Sequence, residues 1–135
     1  MFKTVLFPID QSRETREAAE MVVKIVQQNS SRLVLLSVVE EASQNEPSTD
    51  PMKSTEAVAK LLETVKALFS KQGISADTIE RQGKPAFVIC DVADEIGANL
   101  IIMGCRGLGL TDEGATESVT SRVINLTPCP VLIVP

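Results

Sequence analysis

Short apolar runs alternate with amphipathic segments along most of the chain. The apolar runs stand at residues 3–9, 32–40, 99–104 and 129–135, and the more polar segment 75–82 alternates like an edge strand. The segments with apolar residues at helical spacing lie near residues 13–28, 54–72, 84–97 and 118–125. Nearly continuous apolar runs are typical of strands that are buried on both faces of a parallel sheet, with helices as the connections.

This order predicts one α/β domain over residues 1–135, with the element order βαβαβαβαβ. We expect a doubly wound, five-stranded parallel sheet of strand order 3-2-1-4-5 with helices on both faces. The polar segment 41–53 is predicted to be an exposed loop, and segment 75–82 to be an edge strand. Ligands of such sheets bind beyond the carboxyl ends of the strands at the switch point, here between strands 1 and 4.

Composition and charge exclude several classes of function. The net charge is −5 and aromatic residues make up 3% of the chain, so neither the cationic surface nor the stacking platform of a nucleic-acid-binding protein is expected. There is no histidine, which removes the commonest general base and metal ligand. No apolar run approaches the length needed to cross a membrane, and three unpaired cysteines indicate reduced thiols. We therefore expect a cytoplasmic protein with no membrane or nucleic-acid partner.

A glycine-rich loop follows the fourth predicted strand. Gly104 and Gly107 permit close approach of backbone N–H groups to an anion, and the next helix begins a few residues later. The alternative is a tight turn with no ligand. Asp112, Glu113 and Glu117 place three carboxylates in or beside this loop, which is unusual for a phosphate site.

Three segments carry a resemblance to a known family. They are "KTVLFPIDQS" at the first strand, the pair Gly104-x2-Gly107, and "SVTSRVINLTPCPVLIV" from residue 118. Over essentially the whole chain the sequence resembles the universal stress protein family. That resemblance implies an adenine nucleotide alpha hydrolase-like fold and a stress-response function. It also implies ATP or another adenine nucleotide as ligand, with or without Mg²⁺.

The resemblance also implies the residues of the nucleotide site. The adenine and ribose are expected beside Pro8, Ile9 and Asp10. The base is expected to meet the backbone of Val38. The ribose and phosphates are expected to contact Met103, Gly104, Arg106 and Gly107, and the phosphates also Ser118, Val119 and Thr120. No catalytic residue and no protein-held metal is implied.

The sequence departs from the family pattern at Glu117, which stands where nucleotide-binding members have the third glycine of Gly-x2-Gly-x9-Gly-Ser/Thr. A carboxylate about 4 Å from a phosphate charge costs roughly 1 kcal/mol in water and about 4 kcal/mol at an effective dielectric constant of 20. We therefore expect weakened nucleotide binding. Alternatively, Glu117 is an ordinary acidic residue in a first helical turn, or Mg²⁺ and Arg106 offset its charge.

Three further residues have two interpretations each. Asp10 is either a ribose or metal contact or a helix-capping residue beside Ser12. Arg106 is either a phosphate ligand or a solvated loop residue. Cys105 is either a redox-active thiol or simply a small residue, and the second is favoured because no other cysteine is near it in sequence.

Three functions remain open. The first is a nucleotide-responsive binding protein that is not an enzyme. The second is a nucleotide-independent interaction module with unidentified protein partners, and the third is a slow ATPase or nucleotidyl transferase. The last strand, 131–134, is apolar on both faces and closes the sheet edge, so we expect a homodimer formed through it, as the family also implies.

Overall fold

The computed structural model describes residues 2–10, 13–39, 55–104 and 119–135. Strands and helices alternate within these ranges, and we number them in chain order. They are β1 (Thr4–Pro8), α1 (Arg13–Asn29), β2 (Arg32–Val39), α2 (Thr55–Lys71), β3 (Ala76–Gln82), α3 (Pro85–Ile96), β4 (Leu100–Gly104), α4 (Val119–Leu126) and β5 (Val131–Val134). No helix in these ranges is long and apolar enough to cross a membrane.

The strands form a parallel sheet in the order β3-β2-β1-β4-β5, which confirms the predicted fold class and strand order. The first strand lies in the centre, where Val5 is paired with Leu33 of β2 and with Leu100 of β4. Central position explains the continuous apolar runs, because β1, β2 and β4 are buried along almost their whole length. The edge strand β3 has the more polar sequence and is mostly exposed or half-buried.

Two hydrophobic cores lie on opposite faces of the sheet. Alternate side chains of β1 and of Ile9 just after it divide between the two cores, since Val5, Phe7 and Ile9 pack under α1 and α2 whereas Leu6 packs under α3 and α4. Phe7 and Phe69 of α2 meet edge-to-face in the first core, with ring centroids 6.1 Å apart. Helices on both faces cover the sheet as the alternating sequence predicts.

The helix ends agree with the positions of glycine and proline in the sequence. Gly73 has a φ of +78°, and the N–H of Ile74 donates to the carbonyl of Phe69 to close α2. Pro85 occupies the first turn of α3, and Gly97 ends that helix with a φ of +65°. A left-handed C-cap of this kind favours glycine, which has no Cβ to strain.

The strand boundaries differ from the predicted ones by one or two residues, and the start of β4 shows why. Asn99, which was predicted to begin the fourth strand, lies just before β4 and binds Thr4 twice. The N–H of Thr4 donates to Asn99 Oδ1 at 2.9 Å, and the N–H of Asn99 donates to the carbonyl of Thr4 at 2.8 Å. The side chain of Asn99 thus satisfies a backbone donor where the ladder begins.

Candidate functional site

The middle of the sheet has the geometry of a switch point. The neighbouring strands β1 and β4 are parallel, so their carboxyl ends lie at the same edge. The helix that follows β1 packs into the first core, whereas the helix that follows β4 packs into the second. In doubly wound sheets a ligand crevice usually forms where the connections leave toward opposite faces, and here that place is the ends of β1 and β4.

Asp10 stands directly beyond β1 at this crevice and is held by α1. The hydroxyl of Thr15 donates to Asp10 Oδ1 at 2.9 Å and accepts from the N–H of Asp10 at 3.2 Å. Asp10 is only 6% exposed and Thr15 only 8%. Thr15 was not among the predicted site residues. Its position in the first turn of a helix that follows a strand-end aspartate is the available signal.

Pro8 and Ile9 lie where the sequence predicted, at the end of β1, but the side chain of Ile9 turns into the first core and is 1% exposed. The N–H of Ile9 donates to the carbonyl of Leu36 at 2.8 Å, and its carbonyl accepts from Ser37 Oγ at 3.3 Å. Ser37 was not singled out in the sequence. Its buried hydroxyl links the ends of β1 and β2.

Val38 belongs to the same edge, two residues beyond Leu36 on β2. The carbonyl of Leu36 faces β1, since it accepts from Ile9, and the carbonyl of Val39 faces β3, since it accepts from the N–H of Gly83 at 3.0 Å. Peptide groups of successive strand residues point to opposite sides. The backbone of Val38 therefore faces the β1 side, close to where that strand ends, while its side chain lies in the second core.

The other side of the crevice is formed by β4 and α4. Met103 is fully buried in the second core, and Val119 at the start of α4 packs against the same core. Thr120 Oγ1 donates to the carbonyl of Gly104 at 3.2 Å, and Thr120 is 7% exposed. This bond holds the first turn of α4 against the end of β4. A helix start offers N–H groups that have no partner within the helix, which is the usual way a helix binds an anion.

Eight of the predicted site residues lie at the carboxyl edge of the sheet or at the start of α4. They are Pro8, Ile9, Asp10, Val38, Met103, Gly104, Val119 and Thr120. The predicted residues Arg106, Gly107 and Ser118 lie outside the described residues, as do Cys105 and Glu117.

The two described thiols lie away from this edge, in the second core. Burial raises the pKa of Cys90, and burial likewise raises the pKa of Cys129 against a smaller opposing effect of the hydrogen bond with Thr127. Both are free cysteines. A raised pKa keeps a thiol protonated and weakly nucleophilic.

The strand order and the helices on both faces of the sheet define a doubly wound α/β protein. A sequence profile described as the Universal stress protein family matches residues 1–135. This chain belongs to the universal stress protein family. It is 63% identical over 139 residues to Universal stress protein Sll1654 from Synechocystis, covering 100% of this chain and 87% of that protein.

Solved structures agree with this assignment. The structure of the hypothetical protein MJ0577 is 28% identical, has a TM-score of 0.82 and covers 99% of this chain and 96% of that chain. More distant universal stress proteins, between 16% and 21% identical with TM-scores of 0.73 to 0.79, share the fold, cover 98% to 99% of this chain and 90% to 98% of their own chains. Those complexes contain cAMP, dAMP and, in the Arabidopsis protein, AMP.

Proposed function

We propose that this protein is a stress-response binding module that takes an adenine nucleotide at the crevice between the ends of β1 and β4. The proposal is supported by family membership and by the relatives solved with cAMP, dAMP and AMP. The observation that carries it is the pairing of two fixed groups across one edge. Asp10 is held at the end of β1 by Thr15, and the start of α4 is held at the end of β4 by Thr120.

These two groups suit the two ends of a nucleotide. A ribose diol can donate hydrogen bonds to the Asp10 carboxylate, and a phosphate can accept them from the N–H groups at the start of α4. The backbone of Val38 is available to the edge of the adenine. The remaining proposed contacts are Pro8, Ile9, Met103, Gly104, Arg106, Gly107, Ser118 and Val119. Mg²⁺ would reach the protein with the phosphates, since carboxylates and phosphate oxygens are its usual ligands.

The proposal includes weakened affinity caused by Glu117. This carboxylate stands one residue before Ser118, in the position of the third glycine of the family pattern. Each loss of ~1.4 kcal/mol in binding free energy weakens binding tenfold. Glu117 would then act as an anion of the protein itself at a site built for phosphate.

Calorimetric titration with AMP, cAMP and ATP tests these points, with ATP measured with and without Mg²⁺. Glu117→Gly is expected to tighten ATP binding about 5- to 150-fold, because removing a repelling charge is worth roughly 1–3 kcal/mol. Glu117→Gln should recover only part of this gain in ATP affinity, since glutamine is as bulky as glutamate. The matched control is Glu56→Gln, which removes an acidic residue from the first turn of α2.

Two outcomes contradict the proposal at different levels. Equal ATP affinity in the wild type and both Glu117 variants would reject the role of that carboxylate. Failure of every nucleotide to bind the wild type and Glu117→Gly would reject nucleotide binding and favour a nucleotide-independent interaction module. Our proposal also takes the protein to act by binding rather than by catalysis. Sustained phosphate release from ATP at high protein concentration would contradict that.

We further propose that the protein is a cytoplasmic homodimer formed through β5. This strand is the last of the sheet, and each of its four residues is half-buried. Val131 and Ile133 pack against the second core, while Leu132 and Val134 pack against the first. Its outer edge pairs with no described strand, and a twofold axis beside it would align it antiparallel with its copy.

A further inference from the structure

A groove separates α1 from α2 on the face of the sheet opposite α3 and α4. The two latter helices pack against each other, whereas few residues of α1 and α2 are in contact. The space between them, which we call the α1–α2 groove, has a volume of about 750 Å³. Small-molecule sites commonly enclose about 300–1,000 Å³, so the groove is large enough for a ligand.

The walls of the groove are largely aliphatic. Leu61, Val65 and Leu68 follow one another along one face of α2, and the small side chain of Ala19 faces them from α1. Leu68 is 49% exposed although it is a large apolar residue. Lys60 and Leu68 are eight residues apart, a helix rise of about 12 Å that matches an extended chain of about ten carbons.

Two cations lie at one end of this apolar track. Arg16 and Lys60 line the groove from opposite helices, and neither forms an ion pair with any residue that the structure describes. Asp10 is the one acidic residue among the described lining residues, and its carboxylate is buried and bonded to Thr15. Among the described lining residues, the mouth of the groove therefore has one more positive than negative charge, with an apolar surface leading away from it.

We propose that the α1–α2 groove binds a single aliphatic chain with an anionic head group, of the kind represented by a medium-chain fatty acid. The head group lies between Arg16 and Lys60, where two cations complement one anion. The chain lies along Leu61, Val65 and Leu68 and removes the exposed surface of Leu61 and Leu68 from water. This site leads away from the nucleotide crevice and shares Asp10 and Thr15 with it, whereas Val38, Gly104 and Thr120 do not line it.

Titration of the full chain with decanoate tests the proposal, followed by octanoate, dodecanoate and decylammonium. Decanoate is expected to bind at one site, with affinity rising roughly fourfold for each added methylene that is buried. Decylammonium has the same chain with the opposite charge and should bind at least about tenfold more weakly than decanoate. Equal binding of decanoate and decylammonium, or no binding of decanoate, would overturn the proposal.

Surface variants locate the site. Lys60→Glu should weaken decanoate binding at least about tenfold, while Lys66→Glu on the same helix should leave it within about twofold. Leu68→Asp should weaken it at least about fivefold, whereas Phe87→Asp changes a residue of equal exposure, 49%, on α3 and should not. Unchanged binding in Lys60→Glu and Leu68→Asp would place the ligand elsewhere and reject the groove.

The same variants distinguish this site from the nucleotide site and from an interface. AMP affinity measured in Leu68→Asp should equal that of the wild type. Decanoate binding is a different measurement, so failure of the nucleotide proposal leaves the groove proposal unaffected. If Leu68→Asp instead dissociates an oligomer in sedimentation experiments, the groove is occupied by a second copy of the chain. That result would contradict the fatty-acid site.

Discussion

Thr15 and Asp10 are joined by a reciprocal pair of hydrogen bonds. The Thr15 hydroxyl accepts from the N–H of Asp10 and donates to its carboxylate, at 3.2 Å and 2.9 Å. One hydroxyl therefore fixes both the backbone and the side chain of the residue that follows β1. Because Asp10 borders both the nucleotide crevice and the α1–α2 groove, the orientation of its carboxylate matters to each.

Replacement of Thr15 by valine is expected to destabilise the protein. The two side chains have similar shape, but Thr15→Val leaves the buried groups of Asp10 without this partner, which costs about 1–3 kcal/mol of unfolding free energy. Urea denaturation followed by circular dichroism measures the change. Thr15→Ser keeps the hydroxyl and should retain most of the stability.

Thr64 provides the matched control for that measurement. Its hydroxyl donates to the carbonyl of Lys60 at an exposed position on α2. Thr64→Val should change the unfolding free energy by no more than about 0.5 kcal/mol. Equal losses of unfolding free energy in Thr15→Val and Thr64→Val would show that the bonds to Asp10 stabilise the protein no more than an exposed hydrogen bond on a helix.

The ion pair between Arg81 and Glu95 predicts how the pKa of Glu95 changes when Arg81 is replaced. The hydrogen bond from Arg81 lowers the pKa of Glu95, and Arg81 Nη2 lies 2.7 Å from Glu95 Oε2. Arg81→Gln should therefore raise the pKa of Glu95 toward its ordinary value, as measured by NMR titration of the carboxyl carbon. Arg32→Gln removes a second exposed pair, with Asp77, and should leave the pKa of Glu95 unchanged.

The direction of the pH effect on stability follows from this shift. A carboxyl group whose pKa is lower in the folded state binds fewer protons there than in the unfolded state. Its contribution is present above the unfolded pKa and is lost as the pH falls through the folded pKa. Wild type and Arg81→Gln should therefore converge in urea midpoint at acidic pH, and a difference that grows on acidification would contradict the pair's role.

The proposed dimer makes its own prediction. Leu132→Asp introduces a charge into β5 and should shift the sedimentation coefficient toward that of a monomer. Ile124→Asp on α4 changes a residue that is 52% exposed and should leave the oligomeric state unchanged. A dimer that persists in Leu132→Asp would place the interface away from β5.

Gly97 gives a test of backbone conformation. Its φ of +65° strains any residue with a Cβ, although no atom lies within 4 Å of the position a Cβ would take. Gly97→Ala should therefore lower the unfolding free energy by about 1 kcal/mol through backbone strain alone. Gly97→Asn should cost less, because asparagine tolerates this region better, and equal costs in urea denaturation would argue against strain as the cause.

The strand order was predictable because buried parallel strands leave a continuous apolar signature, and β1, β2 and β4 all have it. Helix ends were predictable where Pro85 and Gly97 impose backbone geometry. Hydroxyl partners were not predictable in the same way. Thr15, Ser37 and Thr120 each bond a group set by the packing of another element, and a threonine or serine in sequence indicates neither burial nor partner.

The bonds between Thr4 and Asn99 have a consequence for how the chain is made. They join residues 95 positions apart and close the contact of the central strand with β4. During synthesis β1 can pair with β2 early, but its other edge stays open until β4 has left the ribosome. Contacts of such long sequence separation slow folding, because the loop must close before they form. We therefore expect a nascent intermediate of β1, β2 and β3 in which the free edge of the apolar strand β1 is open to pairing with other chains.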